Sequence, residues 1–474
     1  MPINSFENYP MSWRPERSKL RSPVYRSLAE NLERDIAEGR LRPGTKLPPQ
    51  RELADYLDVN LSTITRAFRL CERKGLIYAI VGRGTFVSPR ATLPEPSAGS
   101  DEYIELGVIR PYYCCNQIVA DAAGEMLRSH NSDRLFEFDL TLGNAYHRSV
   151  AEKWLAGFGM NARTDDIVLT AGTQNALAIS LMTLFEAGDK VITDEFTYPN
   201  FISLARQLRI QLVSVGADIG GMRPDLLERQ CRQCDAKGIF LMPSCCNPTG
   251  IAMSPKRRKE IAGVIRERKL ILIEDDTYGF LSDDSTAPLA SLLPERAVYV
   301  HGLSKSLSAG LRIAYAVIPS SYRKAFLNTA NNINLKIPLL NAELASRLIS
   351  CGAAWEIIRR KREMSEERNR IFHRFFPMNA AGGPTGAEVS GRSFFQWLPL
   401  SRDCGGYPLE AQAKLQGVRI LCSDRFAAGN TTQTAVRIAT CSPVSTDELE
   451  RGLGIVKALI AENQKSPDSS AFII

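Results

Sequence analysis

Between residues 165 and 318 the sequence alternates repeatedly between short runs rich in Val, Ile and Leu and longer stretches with helical spacing. The runs are DDIVLTAG, KVITDE, IQLVSVG, GIFLMP, KLILIEDD, AVYVHGL and RIAYAVI, and the first helix is expected from about Gln174 to Glu186. A strand that is apolar on both faces has to be covered on both, and strands separated by helices pair in parallel. The pattern therefore predicts a parallel sheet between helical layers, whose ligands collect at the carboxyl ends of the strands. Polar residues of particular kinds stand at those ends.

Gly172, Thr173 and Gln174 lie where a strand gives way to a helix, and offer backbone N–H groups and a hydroxyl to a phosphate. Tyr198 follows the next strand and presents a ring that can stack on a flat heterocycle. CCNPTG gives Asn247 in a turn, with an amide that can donate to an oxygen. IEDDTYG ends a buried strand on Asp275, with Tyr278 three residues on, and a carboxylate there needs a cation or hydrogen-bond donors. Lys305 follows the next strand, and Arg312 lies seven residues later. An amine beside an aldehyde condenses with it, and a guanidinium clamps a phosphate. Alone, each has an ordinary explanation: a capped helix, a packed loop tyrosine, a turn, a solvated lysine. Together, in order on successive strand ends, they are the parts that pyridoxal 5′-phosphate (PLP) requires.

The first 90 residues have a different character. They hold 16 Lys+Arg against 10 Asp+Glu, a net of +6, while the rest hold 43 against 42 out of the 59 and 52 in the chain. Basic character confined to one end suits a polyanion-binding module. Ser22 and Pro23 open a helix with Val24, Leu28, Leu32 and Ile36 on one stripe, ending before Gly39. PPQRELADYLD gives a short second helix with Leu53 and Leu57 inward, and a break at Val59 and Asn60 follows. LSTITRAFRLCERKG gives a third, burying Ile64, Ala67, Phe68 and Cys71 and turning Ser62, Thr63, Thr65, Arg66 and Arg69 outward. Short polar and basic groups at the start of such a helix suit a major groove. After Gly75, LIYAIVGRGTFV reads as a β-hairpin turning at Gly82 and Gly84 with Arg83 at its tip, placed to meet phosphate or minor groove.

The order G-x-x-LPPQRELA-x-x-L-x-VN-x-x-T-x-x-RAF, followed by GRGTFV, resembles the winged helix-turn-helix of GntR-type bacterial regulators. That resemblance implies DNA contacts from Arg51, Thr63, Arg66, Arg83 and Gly84, alongside Ser62 and Thr65 from the helix face. In the body, T-AGTQ, NPTG, DDTY and SK-x6-R resemble fold-type I aminotransferases over most of residues 105 to 460. By that resemblance Lys305 forms the internal aldimine with PLP, Asp275 pairs with the ring nitrogen, and Asn247 and Tyr278 bind the ring hydroxyl. Tyr198 stacks on the ring, while Thr173, Gln174, Ser304 and Arg312 hold the phosphate. Arg437, in TAVRIAT, stands where the family takes an amino acid's α-carboxylate; an exposed edge-strand arginine is the competing reading.

A GntR-type head on an aminotransferase-like body is similar to the MocR subfamily of transcriptional regulators. The expected organisation is a winged helix-turn-helix over residues 1–88, a linker over 89–102 and a PLP-transferase body over 103–474. Within the body, a large α/β part spans about 150–330 and a smaller α+β part about 331–465. The resemblance further implies a domain-swapped homodimer on double-stranded promoter half-sites, with PLP or an amino compound as effector. Two departures bear on PLP: Gly302 stands where many members carry Thr or Ser, and Phe138 aligns with a tyrosine that reaches a neighbouring subunit's site. The leading expectation is a PLP-dependent regulator with at most weak transaminase activity. The alternatives are a genuine aminotransferase with an appended head, and a DNA-binding protein whose body is a dimerisation scaffold.

Other features narrow the classes. Eleven cysteines without framework spacing, and no apolar N-terminal signal region, point to a reducing cytoplasm, and no run is long enough to cross a bilayer. Cys231 and Cys234 form CRQC without the further ligands zinc needs, so no metal is expected. SPRATLPEPSAGS reads as a connector and KSPDSSAFII as a loosely held tail.

Overall fold

The computed structural model describes residues 11–37, 40–41, 44–73, 76–80, 84–88, 103–129, 132–137, 143–282, 286–377, 391–401, 405–429, 431 and 433–465. Arg83, Phe138 and the linker at 89–102 lie outside them. The chain divides into two compact units, Met1–Ser100 and Asp101–Ile474.

The first unit contains α1 (Val24–Ala37), α2 (Gln50–Leu57), α3 (Leu61–Arg73) and the antiparallel pair β1 (Ile77–Ile80) and β2 (Gly84–Val87). Leu28, Leu32 and Ile36 of α1 meet Leu53 and Leu57 of α2 and Ile64, Ala67, Phe68 and Cys71 of α3 in one apolar core. The cap of α1 falls one residue later than Ser22: the Pro23 carbonyl accepts from Arg26 and Ser27 N–H. Asp58, in the left-handed region at φ 47°, ends α2, and the Asn60 side chain accepts from Ser62 N–H at 2.9 Å to start α3. Trp13 joins this core from upstream and donates to Asp35 at 2.8 Å.

The second unit is built on a seven-stranded sheet. Its strands are β3 (Ile167–Thr170), β4 (Lys190–Asp194), β5 (Gln211–Val215), β6 (Ala236–Leu241), β7 (Ile271–Asp275), β8 (Ala297–Gly302) and β9 (Ala314–Val317), in the spatial order β3-β9-β8-β7-β6-β4-β5. Every residue of β3, β8 and β9 is buried, and because successive side chains point to opposite faces, both faces are covered. The expectation of a wholly parallel sheet needs one correction. β9 runs antiparallel to both β8 and β3. The link from Gly302 to Ala314 carries the short helix Leu303–Ser306 and one 3-10 turn, Ala309–Leu311, too little chain for a crossover, so the strand returns alongside.

A second apolar core joins α7 (Ala353–Phe375) and α8 (Thr446–Lys465) to an antiparallel sheet of β10 (Gln396–Pro399), β11 (Leu421–Cys422) and β12 (Ala435–Ile438), with β12 central; here α4 is Thr173–Leu184, α5 is Pro199–Gln207 and α6 is Leu303–Ser306. Leu106 packs into this core just after Ile104 and Glu105 pair with Val418 and Arg419, so the body's first residues belong with its last. Ile337, Ala342, Leu348 and Ile357 pack instead with the large sheet, which places the packing boundary within α7.

Phe68 is almost wholly enclosed by the first unit's core. Phe68→Ala should cost about 3–5 kcal/mol by transfer and cavity terms. Differential scanning calorimetry should show the head transition moving down while the transition of the body stays in place.

Candidate functional site

Arg312 meets the start of α4 at Gly172, and Ser304 lies two residues beyond Gly302, which abuts Thr173. Gly172 has φ 90°, a conformation glycine adopts without strain, and a Cβ there would stand 3.0 Å from Arg312 Nη2. The guanidinium therefore lies against the helix N-terminus, where the leading N–H groups have no intrahelical acceptor. Arg312 itself takes φ 47° as the chain turns into β9. Ser304 Oγ, on α6, is buried without a partner among the described residues. Gln174 donates to Asn200 O at 3.4 Å, and its Oε1 is likewise buried and unpartnered. A cationic fork, a helix N-terminus and an unused hydroxyl suit an anion such as phosphate.

The structure gives Gly302 a physical reason. A Cβ at that position would collide with Thr173 Oγ1 and stand 3.1 Å from Thr277 Oγ1. The two threonine hydroxyls lie 3.1 Å apart and fill the space that a Thr or Ser at 302 would occupy.

Asp275 ends β7, buried, and its Oδ1 accepts from Thr277 N–H at 3.0 Å and Thr277 Oγ1 at 2.6 Å. Burial pushes its carboxyl up to about 6, against those two bonds. Lys305 sits on α6 and donates to Ile109 O at 3.0 Å. Its amine is pushed down to about 8, first by burial and then by Arg437 and Arg312, with the Cys441 thiol acting the other way. Tyr198 caps the start of α5, and its hydroxyl, which accepts from Asn200 at 3.1 Å, is raised by burial and by Asp275. Tyr278 is buried edge-on to Phe394 and Phe395, and burial raises it well above its ordinary value. Lys305, Arg312, Asp275, Tyr198, Tyr278 and Arg437 are thus linked by electrostatic contact.

Arg437 is not an exposed edge residue: it lies on the central strand β12, 5% exposed, over the rings of Phe426 and Phe395 at 4.7 and 5.6 Å. Nη1 donates to Asn247 Oδ1 at 2.7 Å and Nη2 to Gly107 O at 2.6 Å, while Nε is buried without a partner among the described residues. Holding Oδ1 orients the Asn247 amide and leaves its nitrogen as the donating end. Desolvation lowers this guanidinium to about 10.

Two contributors went unread in the sequence. Thr277 lies inside the quoted DDTY motif, and its hydroxyl ties Asp275 to Thr173. Lys361, on α7, is fully buried and donates to Lys305 O at 3.0 Å and Leu307 O at 2.8 Å, fixing the lysine-bearing turn. Nothing in its run of charged neighbours marks it out.

In the head, Arg51, Ser62 and Arg66 are exposed, and Thr63 is half-buried at the start of α3. The Arg66 guanidinium carbon lies over the Tyr25 ring at 4.6 Å, so its charged end rests on α1 while the residue stays exposed. Thr65 differs: its hydroxyl has Gln50 Oε1 at 2.9 Å and Leu61 O at 3.0 Å within donating reach, so it lies between α2 and α3. Gly84 begins β2 at φ 113°, where a Cβ would stand 2.9 Å from the Lys46 side chain.

Comparison with known proteins agrees with both halves. Residues 24–87 match the model for bacterial regulatory proteins of the gntR family, and residues 106–379 match aminotransferase class I and II. The HTH-type transcriptional regulator YdeF of Bacillus subtilis is 37% identical over 97% of this chain and 99% of its own. The vitamin B6 salvage pathway transcriptional repressor PtsJ of Salmonella typhimurium is 27% identical over 62% of this chain and 67% of its own. Among solved structures, the α-aminoadipate aminotransferase LysN of Thermus thermophilus, complexed with N-(5′-phosphopyridoxyl)-L-leucine, superposes with a TM-score of 0.68 at 22% identity, covering 77% of this chain and 93% of that one. A winged helix-turn-helix joined to a PLP-transferase fold defines a class of regulator. The chain belongs to the GntR-type regulators with an aminotransferase-like domain, the MocR subfamily. Its body has the fold of PLP-dependent enzymes.

Gly302→Ser should lose about 1–3 kcal/mol to overpacking and weaken PLP binding, whereas Gly302→Ser combined with Thr173→Ala should recover most of both. Thermal unfolding and PLP titration of the two variants check this. Since only the neutral amine attacks an aldehyde, the rate of borohydride-trappable PLP attachment should rise from about pH 7 to about pH 9 and then flatten. Mass spectrometry should place the label on Lys305, and Lys305→Ala should trap none.

Proposed function

We propose that this chain is a DNA-binding transcriptional regulator whose body binds PLP at Lys305 and senses PLP or an amino-compound effector. One observation carries the reading: a chain with a winged helix-turn-helix also sets Arg312 against the α4 N-terminus, with Lys305 and Tyr198 among its electrostatic neighbours and Asp275 among those of Tyr198. When bound, PLP would supply an aldehyde for an amine and a ring that withdraws electrons.

The residues have separable tasks in this reading. Arg312, Ser304, Thr173, Gln174 and the first N–H groups of α4 hold the phosphate. Asp275, steadied by Thr277, holds a proton on the ring nitrogen. Asn247 and Tyr278 face the ring hydroxyl, and Tyr198 covers the ring. Lys305 presents a largely desolvated amine, and Lys361 keeps its backbone in place. Arg437 takes the effector's carboxylate through the free Nε and by giving up Gly107 O. Arg51, Ser62, Thr63, Arg66, Arg83 and Gly84 contact DNA, with Thr65 supporting the reading helix. The working form is a homodimer in the cytoplasm, its heads swapped between subunits and set on two half-sites, as pseudo-symmetric operators require. A local change at Lys305 then reaches DNA through the pairing of the heads.

A second reading, a genuine aminotransferase, is favoured by the near-complete constellation around Lys305. Mobility-shift titrations on DNA upstream of the gene and its neighbour separate the two. Apo and PLP-loaded protein should bind with different affinities, and Lys305→Ala should show no PLP effect. Equal binding by all three, together with steady turnover of an amino acid and a keto acid, would sink the regulator.

A further inference from the structure

Where the small sheet and α8 approach the carboxyl ends of β4 and β6, the body encloses a cavity of about 800 Å³. Phe196, Met242, Met253, Trp397 and Ile460 give it apolar walls, and the volume is in the range that small-molecule sites occupy. None of Lys305, Asp275, Arg312 or Arg437 lines it.

Two buried polar groups interrupt those walls. Asp194 ends β4 and lines the cavity at 6% exposure. Its carboxyl receives only a weak contact from Cys246 Sγ at 3.9 Å, and no cation pairs with it among the described residues. Burial pushes it up to about 7. Gln396 opens β10 at 4% exposure, also lines the cavity, and its Nε2 has no acceptor among the described residues. A buried carboxylate without a cation and a buried amide donor without an acceptor are both costly in an apolar surrounding. Of the other charged groups on the wall, Asp218 is already paired with Arg257 at 3.0 Å, and Glu195 and the exposed Lys457 are opposite in sign.

We propose that this cavity is a second ligand site, shaped for a small amphipathic amine. The apolar body packs against Met242, Met253 and Trp397, the cationic nitrogen meets Asp194, and an oxygen of the ligand accepts from Gln396. A metal ion fits poorly, since it would need several converging oxygen ligands and no such cluster occurs among the described residues.

The cavity shares walls with the site at Lys305. Cys246, which touches Asp194, precedes Asn247, the acceptor of Arg437. Trp397 lies opposite Arg437 in the β10–β12 register and edge-on to Phe426, over which Arg437 rests. A ligand that shifts Cys246 or Trp397 therefore shifts the groups that hold Arg437.

The test is calorimetric titration of the full chain, free of PLP, with N,N-dimethyloctylamine below its aggregation concentration. This tertiary amine carries the required charge and cannot condense with an aldehyde, so the result does not depend on the cofactor reading. Saturable one-site binding is expected, with octanoate weaker by about tenfold or more, as for loss of a charge-assisted contact. Asp194→Asn should cost the amine a similar factor at an unchanged thermal midpoint. Ala461→Trp, on the exposed side of α8 at the cavity wall, should block binding without disturbing the core. Absence of saturable binding, equal affinity for octanoate, or indifference to both substitutions would overturn the site. So would a tenfold gain on truncation after Lys465, which would make the chain's own tail the occupant.

Discussion

The turn-back between Gly302 and Ala314 governs the body. Because this link is too short for a crossover, β9 must return antiparallel, and the turn lies at the carboxyl edge of the sheet. Lys305 and Arg312 sit on the same turn, one on α6 and the other at a left-handed residue entering β9. Their separation is held by the two short helical turns, Leu303–Ser306 and Ala309–Leu311, and by the left-handed Arg312. Gly172 admits the guanidinium to the α4 N-terminus, and Lys361 holds the carbonyls of Lys305 and Leu307. A fully buried lysine is expensive unless its donors are used, and here they clamp the reactive turn.

The polar groups of the site are kept in place by one another. Thr277 satisfies Asp275 and shares a contact with Thr173, so the carboxylate and the α4 N-terminus are joined by a single residue. Arg437 orients Asn247 while resting on two aromatic faces. What remains unmatched is informative: Ser304 Oγ and Arg437 Nε are buried without partners among the described residues. Orphaned polar atoms in an otherwise satisfied network are what a site looks like when its ligand supplies the missing bonds.

Much of this was legible in the sequence, for definite reasons. Strands buried on both faces announce themselves as unbroken Val, Ile and Leu runs, and the residue that ends each run is known once the run is known. Thus Asp275, Lys305 and Tyr198 could be placed on strand ends before any coordinates. The head was readable because three apolar stripes and a hairpin are local patterns. Direction of pairing was not, since β9 has the composition of its parallel neighbours and differs only in the length of chain before it. Long-range partners were also hidden. Gly302 reads as a lost hydroxyl until Thr173 is found in its space, and Lys361 has no local mark, because its partners, the carbonyls of Lys305 and Leu307, lie more than fifty residues away. Thr65 reads as a groove residue, yet Gln50, fifteen residues away, takes its hydroxyl.

Sensing and turnover make opposed demands on such a site. A ligand shifts a protein between two arrangements only by the difference in its affinity for them, and couplings of this kind amount to about 1–3 kcal/mol. The shift lasts only while the ligand stays bound. An enzyme that converts and releases its amine quickly would erase the difference that the head is meant to report. In the proposed reading the groups that set this balance are Arg437, whose Nε has no partner among the described residues, and the titrating pair Lys305, near 8, and Asp275, near 6. Tight holding by Arg437 favours the bound state, and a cavity whose walls include Cys246 and Trp397 gives a second ligand purchase on that grip. Regulation in a fold built for catalysis then needs no new chemistry at Lys305, only slower release from the arginine.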